Sequence, residues 1–424
     1  MKFKVFSLGC KVNSYECSAL ASKLISLGYT QDDNNPDVVI INTCSVTATA
    51  DQKSRQHIRK FMKMYPNAVS VVMGCYSQGN FKYIAEEIKP NILLGTKYRN
   101  EIPDLINEYL SNKKNIVKVE ENTRKYEYEE LGITSYTENV RAYLKIQDGC
   151  DNFCTYCIIP YRRGKMRSRK IENVVEEAKY LIAQGYKEII LTGIHVGGYG
   201  RDMEEGSFDE LVDRLSSLEG LRSLRISSIE ASEIDSRLIE LIKNRSNIAK
   251  HLHIPLQAGS DEILRRMNRK YTSSEFVEKI KQIRKEIPDV GITTDIIVGF
   301  PGETDKDFQK TCEVAKECFD QIHVFPYSAR EGTPAARFPN QVSPQVKSSR
   351  VNILMGISSE LHNAFKEKMV GKTMKALIEK YDEENDINYG KLTNYVEIEL
   401  KGLRSNQVGN EINVKIEKSM IESK

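Results

Sequence analysis

The chain of 424 residues contains no apolar run long enough to cross a bilayer. Its first residues, Met1-Lys2-Phe3-Lys4-Val5, read as the start of a strand and lack the long apolar stretch of a signal peptide. The expectation is a cytoplasmic protein with no membrane partner. A large charge excess is missing too. The 62 Lys and Arg and 59 Asp and Glu leave a net of +3, too little to announce a nucleic-acid binder by itself. Nine cysteines form an odd set, which in a reducing compartment argues against structural disulfides and for metal or catalytic roles. One more absence is local. The run Gly149-Cys150-Asp151-Asn152-Phe153-Cys154-Thr155-Tyr156-Cys157 spells C-x3-C-x2-C, and no fourth cysteine follows nearby. Iron–sulfur clusters normally take four thiolates, so three would leave one iron open for chemistry. The alternative is a zinc site completed by a distant His195 or His253, although zinc ligands usually come as two pairs.

What is present is a globular composition, with 40% hydrophobic and 29% charged residues and length for two or three domains. The fold class is α/β. Residues 1–116 alternate strand and helix: Lys2–Leu8, Asp37–Ile41 and Val69–Met73 as strands, Ser14–Leu27 and Asp51–Met64 as helices. That alternation predicts an open parallel sheet with helices on both faces. Cys10, Cys44 and Cys75 each follow the C-terminal end of a strand, where such sheets place their ligands. Cysteine is also a common buried hydrophobe, but three in one topological position predict a second three-thiolate cluster. Cys17, Cys312 and Cys318 fall inside predicted helices without partner spacing and read as packing residues.

Residues 117–135, rich in Glu, Asn, Lys and Tyr, read as a linker. Between 136 and 364 six strand–helix repeats predict a partial (β/α)6 barrel whose working face is the C-terminal ends of its strands. The C-x3-C-x2-C loop follows the first of them. Residues 365–424 carry β-formers between Gly and Asn turns and predict a small all-β barrel, an architecture that often binds oligonucleotides.

Together the two cysteine sets, the barrel pattern, the terminal β module and Tyr156 before the last cysteine resemble the radical S-adenosylmethionine (SAM) methylthiotransferases over essentially the whole chain. The resemblance implies a methylthiotransferase N-terminal domain, a radical SAM core and an RNA-binding TRAM barrel. It further implies two [4Fe–4S] clusters: an auxiliary one on Cys10, Cys44 and Cys75, and a SAM-cleaving one on Cys150, Cys154 and Cys157. One SAM would methylate a sulfur at the auxiliary cluster. Another would yield the radical that takes hydrogen from C2 of a purine, and the methylthio group would follow. The partners implied are tRNA and an electron donor such as flavodoxin or ferredoxin. Ser7-Leu8-Gly9-Cys10-Lys11-Val12-Asn13-Ser14-Tyr15-Glu16 and Asn152-Phe153-Cys154-Thr155-Tyr156-Cys157-Ile158-Ile159-Pro160-Tyr161 most resemble the branch acting on N6-threonylcarbamoyladenosine at tRNA position 37. The branch acting on isopentenyladenosine tends to have Gln-Met-Asn in place of Lys11-Val12-Asn13, and a third branch modifies a ribosomal protein aspartate.

SAM contacts are expected from Tyr156 against the adenine, from Thr192 and Gly193 at the second barrel strand's end, and from Ser227 and Glu230 after the third. Strand-end turns and helix caps account equally for Thr192, Gly193 and Ser227. His253-Ile254-Pro255-Leu256-Gln257-Ala258-Gly259-Ser260 is similar to a family signature that often has Ser where Ala258 stands. Gly299-Phe300-Pro301-Gly302-Glu303-Thr304 reads as a turn and helix start. The basic run Arg162, Arg163, Lys165, Arg167, Arg169 and Lys170 sits on the predicted active face, and docking of RNA phosphates is the better reading of it, ahead of packing on the N-terminal domain. The terminal module balances 11 Lys and Arg with 11 Asp and Glu over 366–424, so charge-driven RNA binding is not expected of it, and Tyr389 or Tyr395 could stack bases instead. Readings from other classes are a non-catalytic iron–sulfur scaffold, which would favour fully ligated clusters, and a zinc-organised RNA-binding module.

Overall fold

The computed structural model describes residues 1–132, 140–403 and 406–421. The N-terminal unit is a six-stranded, all-parallel sheet in the order β2-β1-β3-β4-β5-β6. Its strands are β1 (Lys2–Ser7), β2 (Thr30–Gln31), β3 (Val38–Thr43), β4 (Val69–Gly74), β5 (Ile92–Leu94) and β6 (Ile116–Lys118). Helices α1 (Lys11–Ser26), α2 (Ala48–Met64), α3 (Cys75–Tyr83) and α4 (Ile102–Asn112) connect them. The central strands β3, VVIINT, and β4, VSVVMG, are buried at every position, as parallel strands covered on both faces must be. Helix α2 starts where Thr47 Oγ1 accepts the Ala50 N–H at 3.1 Å, and it buries Ile58 and Phe61.

The stretch expected to be a linker is packed instead. Ile116–Lys118 completes the sheet, and Thr123 and Tyr126 are buried. The Tyr126 hydroxyl donates to the Glu120 carbonyl at 2.9 Å. Positions 133–135 of that stretch lie outside the described residues. Tyrosine and glutamate here serve as anchors rather than as solvated spacer.

The middle unit holds six parallel strands: β7 (Arg141–Lys145), β10 (Glu188–Thr192), β11 (Ser223–Ile226), β12 (His251–His253), β13 (Gly291–Val298) and β14 (Gln321–Pro326). They form two three-stranded arcs, β7-β10-β11 and β12-β13-β14. The bridges Leu224–Ile248 and Ser228–His253 join the arcs. A hairpin of β8 (Gln147–Asp148) and β9 (Arg167–Ser168) flanks the cysteine loop and the short α5 (Ile159–Arg163). Helices α6 (Ile171–Ala183), α7 (Phe208–Ser216), α8 (Ser236–Asn244), α9 (Asp261–Arg266), α10 (Ser273–Glu286) and α11 (Asp305–Cys318) connect the strands. Capping boxes at Thr272 and Thr304 start the last two. The partial barrel expected from the six repeats is the observed one.

Helix α12 (Pro344–Met369) runs from the barrel into the C-terminal unit, where Phe365 and Met369 join the terminal core. The terminal core thus begins at Phe365, while its strands start only after the helix ends at Met369. The terminal unit is an antiparallel sheet, β17-β16-β15-β18, of β15 (Thr373–Asp382), β16 (Ile387–Leu392), β17 (Glu397–Lys401) and β18 (Glu411–Lys415), followed by α13 (Lys418–Ile421). Among the described residues no helix is long and apolar enough to cross a membrane.

Candidate active site

Three glycine–cysteine steps build the thiol positions. Gly9, Gly74 and Gly149 take φ values of 100°, 107° and 71°, where only glycine is comfortable. Space matters as much as angle. A Cβ on Gly9 would stand 2.6 Å from Cys44 Cβ, and one on Gly74 would stand 2.7 Å from the Thr43 nitrogen. The turns deliver Cys10 to the N-cap of α1 and Cys75 to the first position of α3. Ser54 fixes Cys44 by accepting its N–H at 3.1 Å and donating to its carbonyl at 2.9 Å.

Cys10, Cys44 and Cys75 all line one cavity of about 630 Å³. Thr192, Gly193 and Ser227 line it too, from the C-terminal ends of the barrel strands. Strand-end residues of both domains thus share a single chamber. The thiols fit a cluster chemically. Burial pushes the Cys75 thiol up to about 12 and raises Cys44, with neighbouring thiols adding to the effect. Metal binding must therefore draw off protons that burial holds on the sulfurs. A cation stands ready to offset the resulting charge: Arg163 Nε donates to Cys75 Sγ at 3.1 Å.

Cys150, Cys154 and Cys157 form a second constellation behind the chamber wall. Thr192, Gly193 and Ile194 face the cavity. The next residue, His195, hydrogen-bonds Cys150 and lies 2.7 Å from Glu233. Burial alone would lower the His195 pKa, but these two partners outweigh it and hold it at about 10. Burial pushes Cys157 up to about 12 and raises Cys154, against which Arg269 Nη1 stands at 3.7 Å. The loop is clamped from outside. Asn268, at φ 61°, donates to the carbonyls of Asn152 and Phe153 at 3.2 and 3.1 Å, and Thr155 Oγ1 donates to the Arg266 carbonyl at 2.8 Å. Glu230 pairs with Arg269, and Tyr156 packs against the cluster of Ala258, Met267 and Phe300. Neither lines the cavity that holds the first three thiols.

Of the two readings of the basic run, packing prevails. Arg163, Arg167 and Arg169 are buried, whereas Lys165 and Lys170 are exposed. Arg163 Nη1 donates to Glu16 at 2.8 Å and to Asp148 at 3.1 Å, and its Nη2 donates to Asn13 at 2.9 Å. Lys145 joins Glu16 at 2.9 Å and Asp148 at 2.7 Å. The sequence favoured RNA docking because a run of like charge carries no mark of its carboxylate partners 15 to 147 residues away. Tyr395, expected as an RNA-stacking residue, instead faces the chamber, with its ring 4.3 Å from His251. Cys17 and Cys318 are buried in separate hydrophobic clusters, and Cys312 packs against the cluster of Cys318, in keeping with packing roles. Arg269, Asn268 and the glycines before the cysteines were also missed; only the repeated Gly-Cys pairs offered a signal.

The chain is similar to known proteins over nearly its whole length. The Radical SAM superfamily matches residues 144–315, and the Uncharacterized protein family UPF0004 matches residues 2–95. Threonylcarbamoyladenosine tRNA methylthiotransferase MtaB of Bacillus subtilis (strain 168) is 42% identical over 97% of this chain and 93% of its own length. A tRNA-2-methylthio-N(6)-dimethylallyladenosine synthase of Pelotomaculum thermopropionicum is 37% identical over 89% of this chain and 86% of its own. The solved structure of the radical SAM methyltransferase TsrM from Kitasatospora setae superposes with a TM-score of 0.60 at 13% identity, covering 79% of this chain and 76% of that one.

Proposed function

The chain belongs to the radical SAM methylthiotransferase family, and on that premise we propose that it methylthiolates C2 of N6-threonylcarbamoyladenosine at position 37 of tRNA. The observation that carries the reading is the chamber shared by Cys10, Cys44, Cys75 and the strand-end residues Thr192, Gly193 and Ser227. The 42% identity to a threonylcarbamoyladenosine enzyme supports the branch.

Cys10, Cys44 and Cys75 would hold one [4Fe–4S] cluster and Cys150, Cys154 and Cys157 another. Bound clusters and SAM supply the radical and sulfur chemistry that an unactivated purine C–H requires. The chain's own residues set the conditions. Arg163 and Arg269 place guanidinium hydrogen bonds on Cys75 and Cys154, and His195 places one on Cys150. Hydrogen bonds to cluster sulfurs lower their charge and tune the potential. Thr192 and Gly193 bring backbone to the wall, and Ser227 Oγ is buried there without a partner, free to bind SAM. Tyr156 and Glu230, beside Cys154, are assigned to the same cofactor. The C-terminal unit would meet the RNA by shape and stacking rather than charge, and a flavodoxin or ferredoxin would deliver electrons.

Mass spectrometry of tRNA nucleosides from cells with and without the gene tests the substrate. Loss of 2-methylthio-N6-threonylcarbamoyladenosine is expected, and loss of the dimethylallyl product in its place would overturn the branch. Cys154→Ala is expected to abolish SAM cleavage. Cys44→Ala is expected to keep cleavage while preventing sulfur insertion.

A further inference from the structure

One end of the chamber is cationic beyond what its own carboxylates neutralise. Arg225 is buried, and its Nε and Nη2 both turn to the same Glu188 oxygen, at 3.1 and 3.0 Å. Glu188 is shared a second time, with Arg141 at 2.5 Å, and Arg141 in turn pairs with Glu379. Arg225 Nη1 is therefore left over, buried and without a hydrogen-bond partner. Lys11 lines the same chamber and makes no ion pair among the described residues. Arg225, Arg141 and Lys391 face it as like charges, with Glu188 the one opposing charge. Tyr395, at φ 79° in the turn between β16 and β17, closes the back of this end. Its ring lies under Arg225 at 5.1 Å and stacks on His251, a histidine kept neutral by burial and by Arg225.

A buried guanidinium with one free N–H edge and an unpaired ammonium beside it lack one thing, a carboxylate. The substrate proposed above carries one, on its threonyl group; the dimethylallyl alternative is hydrocarbon and carries none. We propose that Lys11 Nζ and the free Nη1 of Arg225 form a subsite that reads the threonyl carboxylate of the modified adenine, making Lys11 a specificity-determining residue. This rests on the threonylcarbamoyladenosine reading and deepens it. A neutral side chain in the same place would leave the buried Arg225 edge unpaired, which is how a polar site rejects an analogue lacking its partner group.

The test uses the reconstituted holoenzyme and anticodon stem-loops bearing either the threonylcarbamoyl group or its methyl ester, with affinity and kcat/KM measured for each. Esterification is expected to cost the native chain about 10- to 100-fold. Lys11→Gln is expected to lose a similar factor on the acid and little more on the ester, and Lys11→Arg to recover most of it. A merely structural role would weaken acid and ester equally and would not be rescued by charge. Equal discrimination between acid and ester by native and Lys11→Gln chains overturns the subsite. A native enzyme that turns over the dimethylallyl stem-loop but neither threonylcarbamoyl form overturns the substrate reading instead.

Discussion

Gly9 and Gly28 hold similar left-handed backbone angles, 100° and 84°, but only Gly9 is crowded, since nothing lies within 4 Å of a Cβ built on Gly28. The pair separates two costs that a glycine can hide. Gly28→Ala carries only backbone strain, about 1–2 kcal/mol. Gly9→Ala carries that strain and also drives a methyl group into Cys44. We predict that Gly9→Ala holds iron for one cluster instead of two, while Gly28→Ala keeps both; iron and sulfide analysis after anaerobic reconstitution reads the difference. Two filled clusters in Gly9→Ala would show that Cys44 can shift without loss. At this scale the convergence of Cys10, Cys44 and Cys75 on one cavity was legible because position relative to strand ends is a sequence property. Arg269 and Arg225 were not, because a guanidinium means nothing until its neighbours are known.

At the scale of elements, the C-x3-C-x2-C loop is not self-supporting. Its carbonyls at 152 and 153 are held by Asn268, just beyond α9, across more than a hundred residues of chain. Asn268 tolerates its left-handed angle better than most residues and supplies two donors at once. Asn268→Ala is expected to cost about 1–3 kcal/mol from the orphaned carbonyls and the backbone strain. It should also loosen the Cys150 cluster selectively, seen as reduced SAM cleavage with the other cluster retained. Asn268→Gly keeps the angle, so a defect there reports the lost hydrogen bonds alone. Alternation of apolar runs revealed the sheet and the six barrel strands. It could not reveal β6 or the packed segment after it, where short, polar stretches gain their order from Gln78 and the barrel rather than from their own periodicity.

For the molecule as a whole, the decisive feature is the buried network that locks the N-terminal unit to the barrel: Glu16, Arg99, Lys145, Asp148 and Arg163. Burial would raise the Glu16 and Asp148 carboxyls, but the surrounding Arg163, Lys145 and Arg99 hold both below their ordinary values of 4.5 and 3.8. Acids depressed in the folded state stabilise it fully above their unfolded values and lose that contribution as pH falls below them. The melting temperature is therefore expected to hold near neutrality and to fall steeply below about pH 4.5. Glu16→Gln should cost about 3–5 kcal/mol at pH 7 by leaving the buried Lys145 and Arg163 with Asp148 as their one carboxylate, and the penalty should shrink as the pH drops. A penalty that does not change with pH would mean that Glu16 acts by shape and not by charge. From its residues alone the chain declared its chemistry, because cluster ligation depends on thiol count, spacing and strand-end placement, all of which are local. Which thiols share a chamber with which strand ends, which arginines stand against the thiols, and that Tyr395 from the C-terminal unit closes the cavity were decided only by tertiary packing. Those relations join residues up to several hundred positions apart, through burial and charge pairing that no local pattern encodes.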